Sequence, residues 1–294
     1  MKKLFIFAAV ALVSLASFAS PARAEETKGV QKAFENAKQY LDELVTAKDE
    51  NKSDDLTLRV ETFRKVLDLS TAEVKDFEFK LLTVDKDEAF EPWKEEAMKS
   101  LTGAKVFIDS QKELLTDPKS LDFSEVKAIA ENFKAWREKE YLPLVSQAQN
   151  FLLVKQEAKA VGTAQARLGK ITTDLKNIKQ SKVTNSSEIK KLLDGSKNLI
   201  EEAADLNREA ADRFIETNVK TAKNASSTEE ETATSTLPAK TLATSTATSS
   251  PADVSAEAAP IVSIKDLVGS SLGKIKEAYQ GFVDISNLVR KLLK

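Results

Sequence analysis

The sequence predicts an all-α protein: an elongated helical bundle containing a long antiparallel helical hairpin, followed by a disordered tether and one amphipathic C-terminal helix. Three observations predict it. The 294 residues include only 8 glycines and 7 prolines, where average usage supplies roughly 35 of the two together. That is too few turn formers for a fold of many short strands. Between Glu25 and Lys220 apolar residues recur every three or four positions, the period of one helix face. From Thr221 to Val262 that period stops and serine, threonine and alanine dominate. The expected organisation is therefore a signal peptide over 1–24, a helical bundle domain over 25–220 with room for a sub-boundary near 116–123, a linker over 221–262 and a terminal helix over 263–294.

The elements follow in order. Val30, Phe34, Ala37, Leu41 and Leu44 mark a first helix, and Asp49 to Asp55 is a polar break. Leu56, Val60, Phe63, Val66 and Leu67 mark a second, after which Ser70-Thr71-Ala72-Glu73 matches a capping box. That box predicts a new short helix carrying Val74, Phe77 and Leu81. Pro92, suited to a first helical turn, opens a stripe of Trp93, Ala97, Leu101, Ala104, Ile108 and Leu115, and Thr116-Asp117-Pro118 closes it. Ser124 is placed to cap a helix bearing Val126, Ile129, Phe133 and Trp136. Tyr141-Leu142-Pro143 predicts a boundary or kink, because the residue before a proline is steered away from helical angles.

The long hairpin comes next. Leu144, Ala148, Phe151, Lys155, Ala158, Gln165, Leu168, Ile171, Leu175 and Ile178 trace a seam weakened near Gly162. Residues Val183 to Glu188 read as a turn and cap, and Ile189, Leu192, Ser196, Leu199, Ala203, Leu206, Ala210 and Phe214 continue on a second long helix. Two helices of roughly 35 to 40 residues joined by a short turn lie antiparallel. The linker, with Pro238, Pro251 and Pro260, has too little apolar surface to offset its ordering entropy.

The N-terminus carries an address. Met1-Lys2-Lys3 is basic, Leu4 to Phe18 is apolar, and Ala22-Arg23-Ala24 is an Ala-x-Ala tail, the order of a secretory signal peptide cleaved after Ala24. The apolar run is short of the ~20 residues of a membrane span. Without cysteine the chain has no acylation site of the bacterial lipoprotein kind and no disulfides. The expected product is exported, periplasmic or extracellular, and soluble after cleavage. Removing Lys2, Lys3 and Arg23 takes the formal net charge from −2 to −5, which argues against nucleic acid as a partner.

Missing residue types restrict the chemistry. With no His and no Cys, the chain cannot build Ser-His-Asp or Cys-His nucleophiles, imidazole or thiolate zinc sites, or thiol redox pairs. It also lacks GxGxxG and Walker A motifs. No cofactor, metal or catalytic constellation is expected. Trp93 and Trp136 sit within apolar stripes and read as core. Glu201, Asp205, Glu209 and Asp212 share one helix face without the glycine and spacing of a calcium loop.

Two features point to binding. The terminal helix has an apolar face of Ile264, Val268, Leu272, Ile275, Tyr279, Phe282, Ile285, Val289 and Leu292, and it carries six cations against three carboxylates. Such a helix docks a partner groove or a membrane surface, associates with itself, or folds back on the body. The hairpin tip gathers Lys176, Lys179, Lys182, Lys190 and Lys191, a surface suited to an anionic polymer or headgroup and otherwise a solvated tip. The expected function is that of an exported, non-enzymatic scaffold, adaptor or envelope-associated binding protein. Its expected partner is a protein, or a second copy, engaged through the terminal helix, with peripheral contact at a membrane or cell surface. A holdase-type chaperone is the alternative. A carboxylate-based hydrolase, which needs two facing carboxyls about 5 to 10 Å apart, ranks below both.

Overall fold

Helical periodicity without glycine or proline interruptions leaves the chain few options but long helices, and the computed structural model consists of them. It describes residues 24–49, 55–117, 120–178, 183, 186–219 and 262–293, with side chains omitted at 24–27, 47–49 and 55. In order these form α1 (Ala24–Asp49), α2 (Asp55–Leu82), α3 (Glu91–Leu114) and α4 (Phe123–Trp136). A π-helical turn (Arg137–Tyr141) follows, then α5 (Leu142–Asn177), α6 (Ser187–Phe214), a second π-helical turn (Ile215–Val219) and α7 (Ile264–Leu293). No strand occurs among the described residues, and the packing is that of a helical bundle. The predicted signal peptide, except Ala24, and nearly all of the predicted linker lie outside the described residues.

The chain divides into two units. One holds the residues up to Leu82 together with Lys99–Leu142, and the other holds Thr83–Met98 and everything from Pro143 onward.

In the first unit α1 packs on α2, and Thr62 donates to the Tyr40 carbonyl between them. Val60, Leu67, Val74, Phe77 and Leu81 of α2, Leu101, Ala104 and Ile108 of α3, Leu115, and Val126 and Phe133 of α4 are buried. At roughly 1.5–3 kcal/mol for each large side chain, this burial is the main stabilising contribution. Phe107 stacks on Trp136 with ring centroids 4.3 Å apart, and Trp136 stacks in turn on Tyr141 at 5.6 Å.

Two expectations are corrected here and a third takes a specific form. The box at Ser70–Glu73 starts no helix, because α2 runs through it unbroken. The Ser70 hydroxyl, which the box would make the cap, instead accepts from Arg137 at 3.0 Å, and Thr71 returns its hydroxyl to the Leu67 carbonyl one turn back at 2.9 Å. The cap of α4 is Asp122, not Ser124. Its carboxylate accepts from the Glu125 N–H and Glu125 reciprocates at the Asp122 N–H. The boundary or kink expected at Tyr141-Leu142-Pro143 takes the form of the π turn, which ends at Tyr141 where α5 begins. Leu142 itself keeps right-handed helical angles, and its N–H reaches the Arg137 carbonyl five residues back. A π turn at this point relieves the clash a proline ring would make with the carbonyl four residues before it.

In the second unit α5 and α6 form the predicted antiparallel hairpin. The Asn207 side chain donates to the Val154 carbonyl at 3.0 Å, Val161 and Ala164 meet Ile200 and Ala203, and Leu175 and Ile178 meet Ile189. Ser186 caps α6 through the Ile189 N–H. Beside Phe214, where α6 ends, Phe90 and Trp93 join Phe151 in an aromatic cluster with centroid separations of 4.9 to 5.9 Å. Trp93 also donates its indole N–H to Gln147 at 3.2 Å. Lys155 lies over the Phe90 ring at 4.2 Å while pairing with Asp87, which holds the Asp87 carboxyl below its ordinary range.

The predicted α5 seam is wrong by one residue in its middle. Ala158 and Gln165 are exposed, and Glu157, Val161 and Ala164 take the inner positions.

Candidate functional site

The two features singled out by the sequence occupy the second unit, and the fold brings them together. α7 starts from a reciprocal cap, Ser263 accepting from the Asp266 N–H while Asp266 accepts from the Ser263 N–H. It then runs antiparallel along α6. Arg213, near the end of α6, donates to the Val262 carbonyl. Ser271 donates to the Ala203 carbonyl at 3.0 Å, and Ser196 to the Ala278 carbonyl at 3.3 Å. Lys274 pairs with Glu202 at 2.7 Å.

Of the nine predicted docking residues, Val268, Ile275, Phe282 and Ile285 are buried. Ile264, Tyr279, Val289 and Leu292 are half-buried, and Leu272 is exposed. Ile275 and Phe282 share a core with Val161, Ala164, Ile200 and Ala203. Ile285 shares another with Val183 and Ile189, and Leu288, Val289 and Leu292 pack against it. The apolar face of α7 is thus covered by the chain's own hairpin. At Gly281 the helices approach so closely that an added Cβ would stand 2.2 Å from the Ser196 hydroxyl.

One polar layer interrupts this interface, and the sequence seam missed it. Glu157 of α5 is 1% exposed. Asn207 of α6 donates to one of its oxygens at 3.0 Å, and the other is buried without a hydrogen-bond partner. No cation pairs with it among the described residues. Burial pushes its carboxyl up, with the neighbouring Ser271 of α7 and Asn207 pulling the other way. A glutamate on a Lys/Glu-rich helix reads as surface. Its only sequence signal is its place three and four residues from Val154 and Val161, both apolar.

The basic tip gains members from the fold. Lys176 lies in the last turn of α5, Lys190 and Lys191 directly follow the buried Ile189, and Arg290 and Lys291 lie in the last turn of α7. Because Val289 and Leu292 pack on the cluster that holds Ile189 and Val183, the basic end of α7 arrives at the hairpin tip. All five cations are exposed, and none has an ion-pair partner among the described residues. Lys179 and Lys182 lie outside the described residues.

The first unit holds a buried ionic cluster that sequence spacing did not reveal. Arg137, first residue of the π turn, donates to Ser70 at 3.0 Å and to Glu73 at 3.3 Å. Asp76, also buried, pairs with Lys80. Burial raises the Glu73 carboxyl against the opposing pull of the Arg137 guanidinium. Tyr141, last residue of the π turn, is 2% exposed with its hydroxyl unpartnered. Burial and the Glu73 carboxylate lift that phenol far above its ordinary range. The cluster is a guanidinium and a carboxylate tying α2 to the π turn.

The shared acidic face of α6 is exposed, and three of its four carboxylates pair along the helix: Glu201 with Lys197, Asp205 with Arg208 and Glu209 with Arg213. No group of three or more candidate metal ligands occurs among the described residues, and no described helix is long and apolar enough to cross a membrane. Comparison of the chain with protein-family models, curated protein sequences and solved structures finds no match in any of the three.

Proposed function

We propose that this chain is an exported, non-enzymatic helical scaffold or adaptor of the cell envelope, in which α7 acts as the clasp that closes a three-helix binding module. The observation that carries this reading is the seating of α7 along the hairpin, with Val268, Ile275, Phe282 and Ile285 buried against it. An amphipathic helix so covered is spent on the module's own architecture, which leaves the polar outer faces and the helix ends as working surfaces. The buried titratable groups fit the same reading. Glu73 is engaged by Arg137, Asp76 by Lys80 and Glu157 by Asn207, each within or between helices. Export is supported by the basic start, apolar run and Ala-x-Ala tail of residues 1–24.

The test is cell fractionation with N-terminal sequencing of the protein recovered from cells producing the full chain. A mature chain beginning at Glu25 and found outside the cytoplasm is the expected result. A cytoplasmic chain that still begins at Met1 overturns the proposal.

A further inference from the structure

We infer that the basic tip of the three-helix unit is a docking surface for an anionic lipid membrane. The inference rests on the scaffold reading above and names the partner for one of its ends. Its geometry is the convergence of three helix ends, the C-terminal turns of α5 and α7 and the first turns of α6. Together they present Lys176, Lys190, Lys191, Arg290 and Lys291, all exposed.

Helix stability explains part of this charge and leaves the rest. Lys176, Arg290 and Lys291 sit where the negative end of a helix dipole favours cations. Lys190 and Lys191 are the fourth and fifth residues of α6, so the dipole that favours cations at a helix C-terminus does not account for them. Their side chains also lack ion-pair partners among the described residues, unlike Lys197, Arg208 and Arg213 further along the same helix. Two lysines that the helix dipole does not call for, placed beside three cations from other helix ends, make a surface complementary to a sheet of negative charge.

The charge is also segregated along α6. Lys190 and Lys191 follow Glu188 at one end, and toward the other end five carboxylates (Glu201, Glu202, Asp205, Glu209 and Asp212) outnumber two cations, Arg208 and Arg213. Between Lys190 and Glu209 that is about 28 Å of helix. An anionic plane attracts the tip and repels the far half, so the module meets it end-on. A lipid surface is favoured over a soluble polyanion by Leu293, which is 46% exposed and belongs to the same helix end as Arg290 and Lys291. An exposed leucine among cations suits the boundary between headgroups and acyl chains. It adds nothing to the binding of a fully hydrated polymer.

The experiment is co-sedimentation of the mature chain, Glu25 to Lys294, with two kinds of vesicle. One is pure phosphatidylcholine, and in the other about three lipids in ten are phosphatidylglycerol. The expected result is binding to the anionic vesicles alone, reversed by raising the salt. The double variant Lys190→Ala, Lys191→Ala should weaken it by roughly tenfold or more, and Arg290→Ala, Lys291→Ala by a similar factor. Lys127→Ala, Lys134→Ala, which removes two exposed lysines of the first unit, should leave binding unchanged, and the melting temperature of each variant is read alongside. Equal binding to both vesicles overturns the inference, as does an equal loss in all three variants. Heparin that captures the protein while the anionic vesicles do not also overturns it, and then indicates a polyanion. Failure here leaves export and the clasp untouched, whereas a chain retained in the cytoplasm with its leader undermines the scaffold reading itself.

Discussion

Glu157 is a carboxylate that three helices surround and no cation neutralises among the described residues. A carboxyl whose folded-state pKa is raised adds most to stability when protonated. Its contribution is complete below the unfolded value and is lost as pH rises through the folded one. The wild-type chain should therefore carry a cost at pH 7 that Glu157→Gln removes, since the amide keeps an oxygen for Asn207 and carries no charge. We expect the variant to melt about 2–4 °C higher at pH 7, the shift that ~1 kcal/mol produces in a domain of this size. The advantage should shrink as pH falls toward the ordinary carboxyl value of 4.5. Thermal melts of the two proteins across that range check this, and a gap that stays constant with pH would show the effect is not titration. Glu157 escaped the sequence reading for a physical reason. A seam traced through Ala158 and Gln165 fits the period nearly as well, and burial of a charged residue leaves no mark on composition.

Between elements the decisive quantity is how closely two helices approach. A Cβ at Gly281 of α7 would meet the Ser196 hydroxyl of α6, which would have to turn away from the Ala278 carbonyl to which it donates. Alanine is favoured over glycine in a helix by about 1 kcal/mol, so Gly281→Ala is a contest between propensity and collision. With the Ser196 hydroxyl 2.2 Å from the new carbon and 2% exposed, collision should win and the melting temperature should fall. Adding Ser196→Ala leaves a Cβ contact of 3.6 Å, an ordinary one. The double variant should recover stability, with a coupling of about 0.5–3 kcal/mol in a double-mutant cycle.

Helix existence was legible at this scale. All six residues of the stripe from Trp93 to Leu115 are buried as their spacing requires, and the Ser186 cap falls within the predicted Val183–Glu188 segment, most of whose turn lies outside the described residues. The errors were local and polar. The Ser70 hydroxyl predicts a helix start where a helix simply continues, and the boundary or kink expected before Pro143 is a π turn whose form the sequence does not specify. Both reflect tertiary contact. Ser70 receives Arg137 from the π turn, and nothing in either segment alone announces the other.

For the molecule as a whole, the second unit depends on a helix supplied from the far end of the chain. Val268, Ile275, Phe282 and Ile285 together contribute on the order of 6–12 kcal/mol of burial, comparable to the net stability of an entire domain. A chain ending at Val262 should therefore lose the cooperative thermal transition of the second unit, with Val161, Ile200 and Ala203 opened to solvent. Differential scanning calorimetry of the shortened and full chains tests this. An unchanged transition would make α7 a peripheral attachment and return its apolar face to the list of surfaces available for docking. The basic tip was legible in part: three of its five described cations come from the hairpin, and the other two reach it only because α7 runs antiparallel to α6.

That direction of travel sets the geometry of the join. α6 ends beside the place where α7 begins, with Arg213 holding the Val262 carbonyl, so the two described ends that flank the intervening stretch of about 40 residues lie close together. Closing such a loop costs free energy that grows only with the logarithm of its length, so halving it changes stability by about 0.6 kcal/mol. The intervening sequence is therefore free to lengthen, shorten or change composition without disturbing the clasp. A break anywhere within it would turn one folded chain into two complementary pieces held together by the same buried face.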